Sequence, residues 1–252
     1  MQKNQLNNSV LFKVIYQNED VPPPYKHTYT IEVSALPAGL GIKYNLEYLE
    51  RDTLDDEEIF DEGFTLDDNY KWEGLLNVVW KEFINDFLNK TTFKPSSGGS
   101  HLVIHLSRDT DPKTPSNLKE WEYMLQELTQ AIFEESGREA PLELTFAEII
   151  KTKKVLISFV VSFAERRLTL FENINKVEKE KIIDWNESKE LMNTVYSLEY
   201  LGEKALVKPP KKEGKFIDIG EGAWYQLGVA ALNPKKNKDL LEKLETLFKS
   251  KI

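Results

Sequence analysis

From Val155 to Phe163 the chain runs through nine residues without a charge, VLISFVVSF, just after Lys153-Lys154. Read as a strand, Val155, Ile157, Phe159, Val161 and Phe163 share one face. Leu156, Ser158, Val160 and Ser162 share the other. β-branched and aromatic residues suit a pleated, packed surface. Apolar and small residues on both faces predict a central strand covered on both sides.

The same alternation marks further strands. Val10 to Gln17 is one. His27, Tyr29, Ile31, Val33 and Ala35 alternate with Thr28, Thr30, Glu32 and Ser34, giving a strand with one polar face. Leu36-Pro37-Ala38-Gly39-Leu40-Gly41 then turns the chain into Ile42, Tyr44, Leu46 and Tyr48, a hairpin. Between Val10–Gln17 and His27, the run Asp20-Val21-Pro22-Pro23-Pro24 breaks the strand, because proline cannot donate to a ladder. His101–Ser107 alternates as well, after a loop over Lys94-Pro95-Ser96-Ser97-Gly98-Gly99-Ser100. Later strands are expected at Leu142–Phe146, around Leu168 and Leu170, and over Ala223–Leu232, the last paired with Phe216–Ile219.

Helical spacing appears in four places. Trp72, Leu75, Leu76, Val79, Trp80, Phe83 and Phe87 predict an amphipathic helix over about Tyr70–Asn89, with Asp67 or Asp68 as its cap. Trp121, Met124, Leu125, Leu128 and Ile132 predict a second, entered through Thr114-Pro115 and stopped at Gly137. Leu191, Met192, Val195 and Leu198 follow a capping pattern at Asp184–Glu187. Leu240, Leu241, Leu244, Leu247 and Phe248 close the chain, capped by Asn237.

Taken in order, each half reads strand, strand, strand, helix, strand, helix. The expected fold class is therefore α+β, with two pseudo-repeated halves, 1–138 and 139–252, each a mainly antiparallel sheet carrying two packed helices in the order βββαβα. Two proline–lysine echoes, Lys94-Pro95 with Lys208-Pro209 and Asp111-Pro112-Lys113 with Asn233-Pro234-Lys235, support an internal duplication. One continuous domain is the alternative.

Composition narrows the chemistry. The 252 residues contain no cysteine, which removes disulfides, zinc thiolates, iron–sulfur clusters and cysteine nucleophiles. No apolar run approaches the length of a membrane helix, and Met1–Asn8 lacks a signal pattern. A cytoplasmic protein is expected. With 42 acidic against 33 basic residues and a formal charge of −9, binding to nucleic acid or an anionic membrane is disfavoured. No phosphate loop, serine-hydrolase elbow or His-Glu-x-x-His motif occurs. No cofactor is expected.

The strongest anomaly is Asp52–Asp68, which holds nine carboxylates. Their clustering in adjacent pairs does not match a calcium-binding loop. Within it Asp55, Asp56, Glu57, Glu58, Asp61 and Glu62 surround Ile59, Phe60 and Phe64. Carboxylates flanking apolar anchors form the expected docking surface for a basic protein partner, of the inhibitor or immunity type. The bland alternative is a solvated loop tucked onto the core by its apolar residues. Two catalytic or ligand-binding readings stand beside it. One is a metal or acid–base site using His105, Asp109 and His27, although His101 and His105 on one strand would sit about 13 Å apart. The other is a small-ligand cleft between the halves. The basic loop of Lys208, Lys211, Lys212 and Lys215 is a candidate partner for phosphate or for the acidic stretch.

Overall fold

The computed structural model describes residues 9–18, 21–96, 99–107, 109–151 and 153–250; Met1–Asn8 and, in the expected loops, Asp20, Ser97 and Gly98 lie outside them. Over those residues the chain is α+β, with five α-helices and antiparallel sheets. It divides into two compact units, 1–139 and 140–252.

The first unit is built on a seven-stranded sheet. Its strands are β1 (Ser9–Asn18), β2 (His27–Leu36), β3 (Gly39–Tyr48), β4 (Tyr70–Leu76), β5 (Phe93–Pro95), β6 (Leu102–Leu106) and β7 (Lys113–Pro115). Their spatial order is β4-β3-β2-β1-β6-β7-β5. Three helices accompany them: α1 (Asp56–Asp61), α2 (Val78–Lys90) and α3 (Leu118–Glu135). The hairpin register pairs His27 with Tyr48 and Leu36 with Gly39. The turn is tight enough that a Cβ on Gly39 would lie 2.1 Å from the Leu76 carbonyl oxygen, so only glycine fits.

Period two then sorts the residues. Phe12 and Val14 of β1, Ile31 and Val33 of β2, and Ile42 and Tyr44 of β3 are buried on one face. Trp80 and Ile84 of α2 and Trp121, Leu125, Leu128 and Ile132 of α3 are buried with them. Trp121 meets Phe12 edge-on at 5.6 Å and Phe87 at 5.2 Å, so both long helices cover that face. Each such large side chain contributes about 1.5–3 kcal/mol through the water it leaves behind. The opposite face carries Lys13, Thr30, Glu32 and Lys43.

The expected helix over Tyr70–Asn89 is a strand followed by a helix. Tyr70–Leu76 extends the sheet by pairing with β3, from Leu46↔Tyr70 to Leu40↔Leu76. Trp72 lies over Gly74, where a Cβ would sit 2.1 Å from its ring. The cap of α2 is Asn77, whose side chain accepts the Val79 N–H at 3.0 Å, and not Asp67 or Asp68. Thr114-Pro115 also belongs to a strand, β7, and α3 starts two residues later after Asn117. Gly137, at φ +73°, follows the end of α3 in the left-handed conformation.

The second unit contains β8 (Leu142–Ile150), β9 (Lys153–Ser162), β10 (Arg167–Ile174), β11 (Val177–Ile183), α4 (Glu187–Tyr196), β12 (Glu199–Tyr200), β13 (Gly214–Asp218), β14 (Trp224–Gln226), β15 (Ala231–Leu232) and α5 (Leu240–Lys249). Its main sheet has the order β11-β10-β9-β8-β13-β14, which places β9 in the interior. Phe146 and Phe159 pack on Phe248 of α5, at 5.6 and 5.1 Å. On the other face Ala147, Phe216 and Trp224 form a small buried cluster with Leu156 and Leu206. Six of the seven residues of β11 are exposed.

Four meandering strands, rather than three, precede the first long helix in each unit. The expected order βββαβα therefore falls short in both halves. In the first it lacks Tyr70–Leu76, whose spacing also fits a helix, and the three-residue strands β5 and β7. In the second it lacks the charged Val177–Ile183, which has no apolar face to announce it, and the two-residue β12. Charge is unevenly shared as well. Residues 1–139 hold 25 acidic and 13 basic side chains, a net −12, whereas 140–252 hold 17 and 20, a net +3.

Candidate functional site

The acidic segment between β3 and β4 is folded onto the first unit. Asp56–Asp61 forms α1, and the Glu58 carboxylate accepts the Asp55 N–H at 3.0 Å, closing its first turn. Three acidic residues in that turn, Asp56, Glu57 and Glu58, complement the positive end of the helix. Gly63, at φ +81°, ends it, with its N–H on the Phe60 carbonyl at 2.9 Å.

Arg51 fastens the segment at its base. Its Nη1 donates to Asp68 and, at 2.7 Å, to the Thr65 carbonyl; its Nε donates to the Pro24 carbonyl at 3.4 Å. The guanidinium lies 3.8 Å over the Tyr48 ring and 4.6 Å over the Phe64 ring. Asp68 also accepts the Thr65 N–H at 2.9 Å and the Thr65 hydroxyl at 2.7 Å. Burial alone would raise the Asp68 pKa, but the hydrogen bonds from Arg51 and Thr65 outweigh it and hold the carboxyl below its usual range.

This folding separates the three expected anchors of the stretch, Ile59, Phe60 and Phe64. Ile59 is 3% exposed, so it anchors α1 and is not open to a partner, contrary to expectation. Phe64 is half-buried, edge-on to Tyr25 at 5.3 Å and to Tyr48 at 5.6 Å. Of the three, Phe60 alone is exposed, at 53%; Leu66, further along the stretch, is exposed to a similar degree, 54%. Asp55, Asp56, Glu57, Glu58, Asp61 and Glu62 are all exposed. Glu62 accepts from the Tyr25 hydroxyl. Among the described residues the side chains of Asp56, Glu57 and Asp61 have no hydrogen-bond or ion-pair partner. Lys215 of the expected basic loop pairs with Glu245 at 2.6 Å.

The metal reading does not survive the register. Lys13 pairs with His105 and with Glu32, so His105 sits on the polar face of the sheet. His27 pairs with Asn18 and Tyr48 and shares the helix-covered face with Tyr29 and Ile31. The two histidines are on opposite faces and cannot ligate one ion. Asp109 lies 3.9 Å from Lys113. Among the described residues no group of three or more His, Asp or Glu side chains could hold a metal.

Beside the acidic segment, the first unit opens a cleft of about 430 Å³. One wall is the sheet, with Tyr16, His27, Tyr29, Tyr44 and Tyr48. Tyr16 and Tyr29 are cross-strand neighbours and stack at 4.8 Å with 18° between their planes. His27 runs nearly parallel to Tyr29, at 16°. Its Nδ1 donates to the Tyr25 carbonyl at 2.8 Å, which fixes the proton on that nitrogen when the ring is neutral. The other wall is one flank of α3: Glu122, Gln126, Thr129, Gln130 and Phe133, next to the buried Trp121–Ile132 stripe. Glu122 shares a 2.7 Å hydrogen bond with His101 Nε2. Burial, the neighbouring phenols Tyr44 and Tyr16, and the Glu122 charge drive the Tyr29 pKa far up. Burial, Tyr48 and Tyr70 do the same to Tyr44, against opposing effects from Thr129 and Arg138.

Neither the cleft nor its tyrosines stood out in the sequence, where these residues read as ordinary strand positions. Only the register brings Tyr16 beside Tyr29 and His27 beside Tyr48. The available signal was aromatic residues of equal parity on three successive strands, joined to a polar i, i+4, i+7 flank on α3. No family model, curated protein or solved structure matches the chain.

Proposed function

We propose that the first unit is a protein-interaction module that docks a basic segment of another protein on α1. The observation that carries this reading is the state of α1. It is held in place through Ile59 and the Arg51–Asp68 clamp, while Asp56, Glu57 and Asp61 point no charge at any described partner and Phe60 stays exposed. A pre-set surface loses little entropy on binding. An exposed phenylalanine ringed by carboxylates offers an apolar anchor together with charge steering. The net −12 over 1–139 extends the attraction for a basic partner beyond the contact itself. Inhibition of a basic target protein is the activity that fits such a surface.

The test is affinity capture from the producing cell, compared with a variant carrying Asp56→Lys, Glu57→Lys and Asp61→Lys and with Phe60→Ser. All four side chains are exposed, and losing the helix-end complement of Asp56 and Glu57 costs only about 0.3–1 kcal/mol each, so the variants are expected to stay folded. Loss of the captured protein in both, with recovery falling as salt rises, is the expected result; undiminished recovery by the lysine variant overturns the reading.

We also read the two units as copies of one duplicated ancestor. The support is their common succession of a four-strand antiparallel meander, a helix, a strand returning beside the first, and a helix.

A further inference from the structure

We propose that the end of the cleft bounded by Tyr16, Tyr29 and Glu122 binds an organic cation: an ammonium or guanidinium head on a short apolar stem. This site is separate from α1 and does not depend on its docking role.

The wall chemistry selects the ligand. Among the described residues no lysine or arginine lines the cleft, and Glu122 is the one carboxylate that does. Phenol faces attract cations through their quadrupole, by about 0.5–1 kcal/mol when exposed and about 2 when desolvated. The upward displacement of the Tyr16 and Tyr29 pKa values, to which Glu122 contributes after burial, shows that its negative field reaches both rings. Within a unit of net −12 an anionic ligand such as a nucleotide is repelled. The volume, about 430 Å³, suits a side-chain-sized guest.

The protein's own cations show where the site ends. Arg51 lies over Tyr48, and Arg138 lies 4.3 Å over Tyr70 and 5.8 Å over Phe133. The ring faces at that end already carry guanidinium groups. Asp68 neutralises Arg51, but Arg138 would repel a further cation there. At the Glu122 end the neighbouring group is the His101 imidazole, which shares the 2.7 Å hydrogen bond with Glu122 through Nε2 and meets Tyr16 edge-on at 5.8 Å. A guest cation therefore shares that carboxylate with His101; Gln126 and Asn18 add neutral hydrogen-bonding groups there.

The experiment is an NMR titration of the full chain with n-butylammonium and n-butylguanidinium, against neutral n-pentanol and anionic butyrate. A head group and four carbons give a Kd of order millimolar at typical ligand efficiencies. The cations are expected to shift the Tyr16 and Tyr29 ring signals, and the neutral and anionic probes to shift them at least about fivefold more weakly, as removal of a partly screened charge pair implies. Glu122→Gln should weaken cation binding about fivefold, while Gln126→Glu on the exposed flank of α3 should tighten it by a similar factor. The second variant retains the His101–Glu122 hydrogen bond and guards against a folding defect in the first. A parallel arm uses acetyl-Gly-Lys-Gly-amide. If it binds more tightly than butylammonium, the head belongs to a protein side chain; if more weakly, to a free amine. Equal binding of pentanol, or no response to either charge change at position 122 or 126, overturns the proposal.

Discussion

Arg51 is the residue on which the acidic segment turns. Its guanidinium joins two rings, two carbonyls and one carboxylate, and its side chain is only 9% exposed, against 21% for Asp68. Because the Asp68 pKa is lower in the folded chain than in the unfolded one, the pair stabilises the fold fully above the unfolded value of about 3.9. That contribution fades as pH falls through the folded value. Asp68→Asn is therefore expected to cost about 1–2 kcal/mol at pH 7, the worth of charge-assisted bonds at a partly exposed site. The gap between variant and parent should narrow below about pH 4. Urea unfolding at neutral and acid pH measures it, and a gap independent of pH would remove Asp68 from the clamp. The sequence showed this residue only as one of nine carboxylates. Likewise Ile59 and Phe60 look alike in the chain, yet neighbours on a helix point about 100° apart. One is therefore buried and the other exposed. Which of the two turns inward depends on how α1 lies on the sheet, and no local pattern encodes that.

Among the elements, those with a clear period were legible: the β2–β3 hairpin, the interior strand β9 and the buried stripe of α3. Misreadings arose where two periods overlap. Tyr70, Trp72 and Leu76 fit a strand, but with Leu75, Val79, Trp80 and Phe83 they also fit a helix; Asn77 decides the boundary by capping α2. Leu75 and Val79, expected in the core, are 39% and 41% exposed. Asn77→Ala should therefore destabilise the protein by about 1 kcal/mol, and Asn77→Asp, which keeps an acceptor, by much less. Thermal unfolding distinguishes the two, and equal losses would show that the cap is not the boundary signal. A tertiary contact settled Thr114-Pro115 too: Thr114 and Pro115 pair with Lys94 and Phe93 of β5, the adjacent Lys113 pairs with Ile104 of β6, and this overrides the helix-start signal of threonine–proline.

At the scale of the whole molecule, a total charge of −9 hides a first unit at −12 and a second at +3, because summation over a chain conceals segregation until a boundary is drawn. The cleft was hidden for a related reason. It is assembled from residues up to 117 positions apart, Tyr16 to Phe133, and exists only once the sheet register is set. The strand β11 has a further consequence, for self-association. Among the described residues it is an edge strand, with Val177 and Ile182 62% and 70% exposed, and such edges recruit further strands. Yet Lys179 and Lys181 lie on one face with Leu170, and Glu178 and Glu180 on the other with Phe171. Antiparallel pairing of two copies about a two-fold axis keeps like faces together. Lysine would then meet lysine and glutamate would meet glutamate, which is destabilising for directly opposed like charges. Replacing all four by threonine should release this block and raise the sedimentation coefficient with concentration above that of the parent. If the variant sediments like the parent, something other than charge keeps the edge from polymerising. The alternation that concealed β11 as a strand thus lets an open edge persist without recruiting its own kind.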